Sequence, residues 1–230
     1  MLNRKVRYFL HLLKIPYNIW SNSRLKKKRQ PYYDKLCKII TPDTSIISSN
    51  CFAGRIMQDL NMKYNSPTLG LYFWAEDYIE FLSHLDYYLH KADLIFVKHS
   101  KYKLGNERRE KWSHWYPIGV LGGKVEIHFL HYHSESEAAE KWHRRASRVN
   151  QDKLFIIGMD QNLCSEKNII DFDNLPFKQK IFFSSKNIKG NSIVFMKEFE
   201  NCGQVGDPYK KGHIFYRYLV NKLYQDKINK

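Results

Sequence analysis

The chain has 230 residues, which is enough for one α/β domain with a full hydrophobic core. Hydrophobic residues make up 43% of the chain and aromatic residues 15%, which excludes a disordered protein, and no apolar run reaches the roughly 18 residues that span a bilayer. The formal net charge of +15 favours an anionic partner, such as a lipid surface, a nucleic acid or an acidic polymer.

The excess of basic residues begins in residues 1–30, which contain no acidic side chain. Apolar residues such as Val6, Phe9 and Leu13 alternate with the basic ones, which is closer to an interfacial helix than to a nucleic-acid tail. The segment lacks the small-residue cleavage site of a secretory signal, so we expect it to remain in the mature protein. We predict a basic amphipathic arm over residues 1–30, with an anionic membrane surface as its partner or a solvated helix as the alternative, and with nucleic acid disfavoured.

Helical and strand patterns alternate through the first half of the remaining chain. Apolar residues at intervals of three and four indicate helices, and short apolar runs indicate core strands. The charged stretch 98–115 predicts a loop over the sheet edge. The predicted elements are a helix over residues 32–40, a strand over 44–48, a helix over 52–61, a helix over 74–89 and a strand over 94–97.

A hairpin begins the second half, because Gly122-Gly123 separates two apolar runs at 116–121 and 125–130. Ser134 and Glu137 predict a capping box at the start of the next helix. Further strands are predicted over 154–159, 181–184 and 193–195, and a final helix over 214–224. The alternation predicts one α/β domain over residues 31–230, with three layers: a mainly parallel sheet, helices on both faces, and one antiparallel hairpin addition.

The end of the first predicted strand is the leading candidate site. Ser49, Asn50 and Cys51 lie where an apolar strand leads into a helix, a position that presents reactive side chains and free backbone N–H groups to a ligand. A helix N-terminus can lower the pKa of a thiol, so Cys51, or its neighbour Ser49, is a candidate nucleophile. Gly54 lies in the first turn, where a side chain would obstruct the close approach of another group. The alternatives are ligand binding by the backbone at Asn50 and Cys51, and a purely structural role.

His131 and His133 follow a second apolar strand and are candidate general bases. In a parallel sheet the carboxyl ends of the strands meet at one crevice, so we expect these histidines near Cys51. A histidine that is merely hydrogen bonded is the structural alternative. No cysteine or carboxylate completes a metal-ligand set with the two histidines, and we predict no metal site.

Arg144, Arg145 and Arg148 lie within about one turn of each other on one predicted helix. Guanidinium groups suit phosphate, as in a nucleotide, coenzyme A or a lipid diphosphate, although a solvated helix face explains them as well. Asn65 belongs to a polar and aromatic turn of the kind that binds sugars. Asp160 ends a strand and could orient a histidine, hold a metal or cap a turn.

Several familiar signatures are missing from the sequence. There is no GxGxxG, P-loop, GxSxG or HExxH motif, which disfavours dinucleotide enzymes, P-loop NTPases, typical α/β-hydrolases and zincins. The four cysteines form no CxxC pair, which disfavours a disulfide framework or a structural zinc site. A reducing, cytoplasmic setting therefore fits best.

In several of these stretches, the chain resembles a bacterial family of unknown function that is often labelled exopolysaccharide or capsule biosynthesis protein. The resemblance spans roughly residues 40 to 200 and leaves the basic arm outside. One departure is Phe52-Ala53, where the family has an aromatic residue followed by glycine. The matching stretches are Ile47-Ser48-Ser49-Asn50-Cys51-Phe52-Ala53-Gly54, Tyr64-Asn65-Ser66-Pro67-Thr68-Leu69-Gly70-Leu71, Glu76-Asp77-Tyr78, Tyr116-Pro117-Ile118-Gly119, His131-Tyr132, Glu137-Ala138, Lys141-Trp142 and Arg144-Arg145.

The resemblance implies a cytoplasmic enzyme of surface-polysaccharide assembly, with the inner face of the cytoplasmic membrane as a further expected location. A looser similarity, at Ser49-Asn50-Cys51, is to capsule acetyltransferases. We therefore expect transfer of an acyl group to a hydroxyl of a saccharide or lipid-linked saccharide, with acetyl-CoA as co-substrate and no tightly bound cofactor. The alternatives are a glycosyl- or phosphosugar transferase, with Asp160 as its metal ligand, and a non-catalytic assembly factor held at the membrane by the arm.

Overall fold

The structure, a computed structural model, describes residues 22–111 and 115–228. These residues divide into two compact units. The larger unit is Ile40–Gly206, and the smaller one joins residues 22–39 with residues 207–228. Most of the predicted arm lies outside the described residues, so the arm and its boundary with a single domain at residue 31 stay predictions.

Short helices and strands alternate along the chain. Three 3-10 turns cover Gln30–Tyr32, Gln151–Lys153 and Lys197–Phe199. The helices and strands are, in chain order, α1 (Tyr33–Cys37), β1 (Ser45–Ser48), α2 (Phe52–Asp59), β2 (Tyr72–Phe73), α3 (Ala75–Ser83), α4 (Leu85–His90), β3 (Leu94–Val97), α5 (Lys103–Lys111), β4 (Ile118–Leu121), β5 (Val125–His128), α6 (Glu135–Ala146), β6 (Leu154–Met159), α7 (Glu166–Asn174), β7 (Lys180–Ser184), β8 (Ile193–Phe195) and α8 (Gly212–Ile228).

Two four-stranded sheets form the larger unit. The parallel sheet has the order β1-β6-β7-β8, with Ile46 opposite Phe155 and Phe182 opposite Ile193. The antiparallel sheet has the order β2-β5-β4-β3 and contains the hairpin, in which Leu121 pairs with Val125. The predicted α/β class, the parallel sheet and the antiparallel hairpin are confirmed. The hairpin is joined by β2 and β3, so the run at 94–97 pairs with the hairpin and not with the parallel sheet.

One continuous hydrophobic core connects the two sheets. It contains Ile47 and Ile156 of the parallel sheet and Ile127 of the antiparallel sheet. Tyr78 of α3 is 2% exposed, and its hydroxyl lies 2.9 Å from the backbone oxygen of Ile157 in β6. The central strands β6 and β7 of the parallel sheet are buried on both faces, which explains why their sequences are apolar runs without alternation.

Two predicted segments differ from the structure. The helix predicted over 74–89 is divided at His84, whose backbone (φ −130°, ψ 40°) leaves the helical region, and the Ser83 hydroxyl donates back to the Ile79 oxygen at 2.8 Å. Such back-bonding competes with the helical ladder. The loop predicted over 98–115 contains α5, which was missed because its packing depends on Gly105 and on charged side chains, and not on an apolar stripe.

The smaller unit contains α1 and α8. Arg29 is 2% exposed, with its guanidinium carbon 6.0 Å from the centre of the Tyr216 ring. A Cβ at Gly212 would lie 2.8 Å from Arg29 Cδ, so glycine is needed where α8 begins. Across the described residues of both units, no helix has the length and apolarity needed to cross a bilayer.

Candidate functional site

Cys51 lies where β1 leads into α2. It is the N-cap of α2 and is 8% exposed. Its thiol donates to the backbone oxygen of Leu71 at 3.5 Å. The thiol thus occupies the predicted junction between strand and helix, and it faces residues 69–71, which we call loop 69–71.

Asn50 and Ser49 stabilise this junction. The Asn50 Oδ1 atom accepts from the backbone N–H of Phe52 at 3.0 Å, and Asn50 Nδ2 donates to Gln161 Oε1 at 2.9 Å. Ser49 is 7% exposed, and its backbone oxygen accepts from Phe73 N at 2.9 Å. Both polar ends of the Asn50 side chain are therefore used within the protein, and contact of Asn50 or Ser49 with a substrate stays a prediction.

Gly54 and Asn65, two further predicted binding residues, have different surroundings in the structure. A Cβ at Gly54 would lie 3.5 Å from Leu69 Cδ2, an ordinary contact, so no neighbour in the described chain requires glycine there. Asn65 is 8% exposed and donates from Nδ2 to the Thr44 oxygen at 3.1 Å. Its Oδ1 is buried with no hydrogen-bond partner among the described residues.

The segment from His131 to His133 reaches loop 69–71 from the antiparallel sheet. The backbone N–H of His131 donates to the Gly70 oxygen at 2.9 Å, and the Tyr132 hydroxyl donates to the Leu69 oxygen at 2.5 Å. Tyr132 is 3% exposed, whereas His131 and His133 are exposed. The expectation that these histidines follow a strand of the parallel sheet is therefore wrong, because β5 belongs to the hairpin. Loop 69–71 nevertheless brings Cys51 and the histidine segment together.

Glycine is required at position 70. Gly70 has φ +74°, a conformation that side chains rarely adopt. A Cβ there would also lie 3.2 Å from the Tyr132 ring and 3.4 Å from His131 Cβ. Loop 69–71 can therefore receive the segment from His131 to His133 only because position 70 has no side chain.

The Arg145 side chain joins this cluster, whereas Arg144 pairs with Glu140 and Arg148 lies beyond the end of α6, so the three arginines do not share one helix as predicted. Arg145 Nη1 donates to the Tyr132 hydroxyl at 2.7 Å, and its guanidinium carbon lies 5.7 Å from the Tyr64 ring centre. Arg144 forms an ion pair with Glu140 at 2.6 Å, and Arg148 is exposed. We call Cys51, Tyr132, Arg145 and loop 69–71 the Cys51 cluster.

The electrostatics of the Cys51 cluster keep Tyr132 neutral. Burial raises the pKa of Tyr132 to about 12, while the Arg145 guanidinium opposes this rise and the nearby Cys51 adds to it. The hydroxyl therefore stays protonated at neutral pH. It can donate to loop 69–71 and accept from Arg145 at the same time, so it fixes the guanidinium beside the loop.

A second polar cluster, which the sequence reasoning missed, lies in the antiparallel sheet. Glu126 and His128 of β5 are 1% and 0% exposed. Glu126 Oε1 lies 2.7 Å from His128 Nε2, and the Tyr72 hydroxyl lies 3.0 Å from Nδ1. The Trp74 indole N–H donates to His128 Nε2 at 2.9 Å. Two titratable residues at alternate positions of one strand were the available signal, but alternation predicts an exposed face, and both faces of β5 are buried.

The net lowering of the pKa of Glu126 indicates an ionised carboxylate. His128 Nε2 faces both this carboxylate at 2.7 Å and the donating Trp74 indole N–H at 2.9 Å, and no single proton position on Nε2 satisfies both contacts. Burial raises the pKa of Glu126, but hydrogen bonds from His128 and Ser100 outweigh it, and the net pKa is lowered. For His128, burial outweighs the carboxylate, and the pKa is lowered. The Tyr72 hydroxyl pairs with His128 Nδ1 at 3.0 Å.

Glu126 also holds the segment that leads into α5. Ser100 Oγ donates to Glu126 Oε1 at 2.5 Å, and the backbone N–H of Lys101 donates to Oε2 at 2.8 Å. Gly105 permits this approach, since a Cβ there would lie 2.5 Å from Ser100 Oγ. Lys101 Nζ in turn reaches Asp77 Oδ1 at 2.6 Å. We call Glu126, His128 and Ser100 the Glu126 network.

Asp77 provides a pH-dependent test of this region. Burial raises the pKa of Asp77 from 3.8 to about 6, despite the opposing effect of Lys101. The contribution of Asp77 to stability is thus fully present below pH 3.8 and is lost as the pH rises through about 6. Asp77→Asn cannot ionise, so its unfolding free energy should gain roughly 2 kcal/mol relative to the natural protein between pH 4.5 and pH 8, as measured by urea unfolding. A constant difference across this range would contradict the assignment.

The carboxylate of Asp160, the candidate metal ligand, is hydrogen bonded at the end of the parallel sheet. It is 3% exposed, and its carboxylate accepts from Ser185 N at 2.6 Å, from Ser185 Oγ at 2.7 Å and from Val205 N at 2.7 Å. Among the residues that the structure describes, no three His, Cys, Asp or Glu side chains form a metal-binding group. Asp160 therefore caps strand ends, which is the turn-capping alternative.

Two comparisons relate the chain to known proteins. Residues 22–228 match a family described as a domain of unknown function (DUF1919). The chain is also 39% identical over 174 residues to an uncharacterized protein of Haemophilus influenzae (strain ATCC 51907 / DSM 11121 / KW20 / Rd), which covers 75% of this chain and 77% of that protein. The chain belongs to the DUF1919 family. The Cys51 cluster and the Glu126 network both lie inside the residues matched to DUF1919, and neither description names a substrate or a reaction.

Proposed function

We propose that the chain is a cytoplasmic enzyme of surface-polysaccharide synthesis that transfers an acyl group from acetyl-CoA to a sugar hydroxyl at the Cys51 cluster. The observation that carries the proposal is the meeting of a thiol, a histidine segment and a tyrosine-held arginine around loop 69–71. The polysaccharide context comes from the sequence resemblance and from no structural contact.

Each group of the cluster has a role in this reaction. His131 or His133, both exposed, takes the proton of the sugar hydroxyl, and the oxygen attacks the thioester carbonyl. The carbon–sulfur bond breaks, and the departing coenzyme A thiolate receives the proton from the histidine. Cys51 lines the reacting centre at a helix N-terminus, where backbone N–H groups favour developing negative charge.

Arg145 suits the phosphates of the donor. Its guanidinium is held by the Tyr132 hydroxyl and lies near the Tyr64 ring, which is 41% exposed. A guanidinium fixed in this way loses little conformational entropy when it binds phosphate. We therefore assign donor binding to Arg145 in preference to Arg144, whose charge is paired with Glu140.

The two alternatives have less support from the described residues. A glycosyl- or phosphosugar transferase would need Asp160 as a metal ligand, but the Asp160 carboxylate already accepts three hydrogen bonds within the protein. A membrane-held assembly factor, like the location at the inner membrane face, depends on the arm over residues 1–30, most of which lies outside the described residues. Both stay predictions.

The test is transfer of radiolabelled acetyl groups from acetyl-CoA to sugar acceptors by purified protein. The double variant His131→Ala/His133→Ala should lower kcat/KM by about 100-fold or more, because it removes the general base. Cys51→Ala should also lower kcat/KM, because it removes the side chain that lines the reacting centre. Arg145→Ala should raise KM for acetyl-CoA by roughly tenfold, because it removes a charge-assisted hydrogen bond. Arg148→Ala is the control, because Arg148 is an exposed arginine just beyond the C-terminus of α6, and the variant should stay within about twofold of the natural protein.

The proposal is rejected if the natural protein transfers no acetyl group and acetyl-CoA does not raise its melting temperature. Full activity of both the cysteine and the double histidine variants would reject the residue assignments alone. Equal effects of Arg145→Ala and Arg148→Ala would remove the donor-binding role of Arg145.

A further inference from the structure

The smaller unit carries most of the excess positive charge of the described residues. Its residues 22–39 and 207–228 contain twelve basic and three acidic side chains, which give a formal net charge of +9. The larger unit contains 21 basic and 20 acidic side chains, which give a formal net charge of +1. The positive charge therefore belongs to one unit and is not a general property of the protein surface.

Most cations of the smaller unit have no counter-ion among the described residues. Lys222 pairs with Asp226 at 2.7 Å, whereas exposed lysines elsewhere in the unit form no ion pair with a described residue. Like charges that are not neutralised repel one another, so an anionic partner would stabilise this unit. Among these exposed lysines are Lys26, Lys27, Lys28, Lys35, Lys210 and Lys211.

Two segments that are distant in the sequence pack together in this unit. Arg29 is 2% exposed, and a Cβ at Gly212 would lie 2.8 Å from Arg29 Cδ. Lys28 comes directly before this buried arginine, and Lys211 comes directly before this glycine. Both lysines are exposed. The contact therefore brings the basic segment before residue 30 to the start of α8, so that cations from both segments share one surface.

His213 lies at the centre of these cations. Burial lowers the pKa of His213, and the positive charges around it lower the pKa further. In order of effect, these charges belong to Lys28, Lys211, Arg217 and Arg29. Of these four residues, only Arg29 is buried. We call the three exposed cations, Lys28, Lys211 and Arg217, together with His213, the His213 patch.

The side chains of the smaller unit favour an anionic lipid surface over a nucleic acid. Proteins that bind single-stranded nucleic acids stack bases on exposed aromatic rings, and no aromatic side chain that the structure describes in this unit is exposed. Ile228 at the end of α8 is 81% exposed, and a lipid interface can accept such an apolar side chain. Lysine is a compact point charge, which suits the diffuse negative potential of a membrane.

We propose that the smaller unit binds an anionic lipid surface through the His213 patch. The start of α8 and the segment before residue 30 both contact the lipid headgroups. The membrane contact is therefore not confined to the arm predicted over residues 1–30. This inference holds whether or not the Cys51 cluster transfers acyl groups.

The experiment is co-sedimentation of the full chain with lipid vesicles at about 0.15 M salt. The anionic vesicles contain phosphatidylcholine and about one-third phosphatidylglycerol, and vesicles of phosphatidylcholine alone test the requirement for charge. The natural protein should sediment with the anionic vesicles only. Binding should weaken as the salt concentration is raised, because salt screens the attraction.

Two variants test the patch itself. Lys211→Gln should weaken binding to the anionic vesicles by about fivefold, and Lys28→Gln/Lys211→Gln by roughly 25-fold, because each lysine near the headgroups contributes separately. Lys178→Gln/Lys189→Gln is the matched control, since it removes two exposed lysines of the larger unit and should leave binding unchanged. All four substituted lysines are exposed, so the melting temperatures should stay close to that of the natural protein.

Several outcomes would overturn the proposal. One is equal sedimentation with both kinds of vesicle, or with neither. Another is binding that Lys211→Gln and the double variant leave unchanged, which would assign any membrane contact to the arm alone. Tighter binding of duplex DNA or RNA than of anionic vesicles at the same salt would replace the lipid surface with a nucleic acid. Displacement of the vesicles by inorganic phosphate at constant ionic strength would reduce the patch to a site for a single phosphate.

Discussion

Glu126→Ala should lower the free energy of unfolding by about 4 kcal/mol. The carboxylate accepts from Ser100 Oγ and from the Lys101 backbone N–H, it lies 2.7 Å from His128 Nε2, and Glu126 is 1% exposed. Alanine would leave these polar groups without their partner, at about 1–3 kcal/mol for each buried one, and would also leave a cavity. Urea unfolding at pH 7 measures the loss.

Two further variants make this prediction specific. Glu126→Gln keeps one acceptor oxygen and the size of the side chain, so its loss should be smaller than that of alanine. Glu140→Ala is the control, because Glu140 is 58% exposed in its ion pair with Arg144 and should cost less than about 1 kcal/mol. Amide hydrogen exchange at Lys101 and Tyr102 should accelerate in Glu126→Ala. Equal losses for Glu126→Ala and Glu140→Ala would show that the network does not contribute to stability.

Asp160→Ala should lower the free energy of unfolding by roughly 3–5 kcal/mol. Its buried carboxylate accepts from two groups of Ser185, at the end of β7, and from the backbone of Val205. Hydrogen bonds to a charged group contribute about 1.5–3 kcal/mol each, and without them two backbone N–H groups of buried residues lose their acceptor. Thermal and urea unfolding measure the effect.

Asp171→Ala is the matched control for Asp160→Ala. Asp171 is a helical aspartate with a third of its side chain exposed, paired with Lys167 one turn away, and its removal should cost less than about 1 kcal/mol. A small loss for Asp160→Ala would mean that water or another donor set replaces its contacts. In that case Asp160 would again become available as a functional carboxylate.

The local patterns of the sequence predicted most elements of the larger unit. The apolar runs at 154–159 and 94–97 coincide with β6 and β3, and Gly122-Gly123 forms the hairpin turn with positive φ at both glycines. Ser134 accepts from the Glu137 backbone N–H at 3.1 Å, as predicted for the N-cap, but the Glu137 carboxylate accepts from the His133 backbone N–H at 2.8 Å, so the predicted capping box is formed only in part. These features depend on residues close together in the chain, so periodicity and turn chemistry were sufficient to find them.

Local sequence patterns could not predict which strands pair with each other, nor that Glu126 and His128 form a buried polar cluster. The run at 94–97 has the length and composition of a parallel core strand, yet Leu94 pairs antiparallel with Leu121. Glu126 and His128 carry the alternation of a half-exposed strand, and they are buried because Tyr72, Trp74 and α5 cover that face. Pairing and coverage are long-range contacts, which local pattern does not encode.

The candidate site also combines features that the sequence predicted with features that only the structure showed. The sequence alone identified Cys51 at a junction between strand and helix and two histidines after an apolar run, since both signals are local. Only the tertiary structure showed that Cys51 and the histidine segment meet through the backbone of loop 69–71, and that Arg145 rather than Arg144 joins them. It also showed that the Asp160 carboxylate is already hydrogen bonded within the protein. The physical reason is that hydrogen-bond partners of buried groups are chosen by packing across distant segments, and packing exists only after the chain has folded.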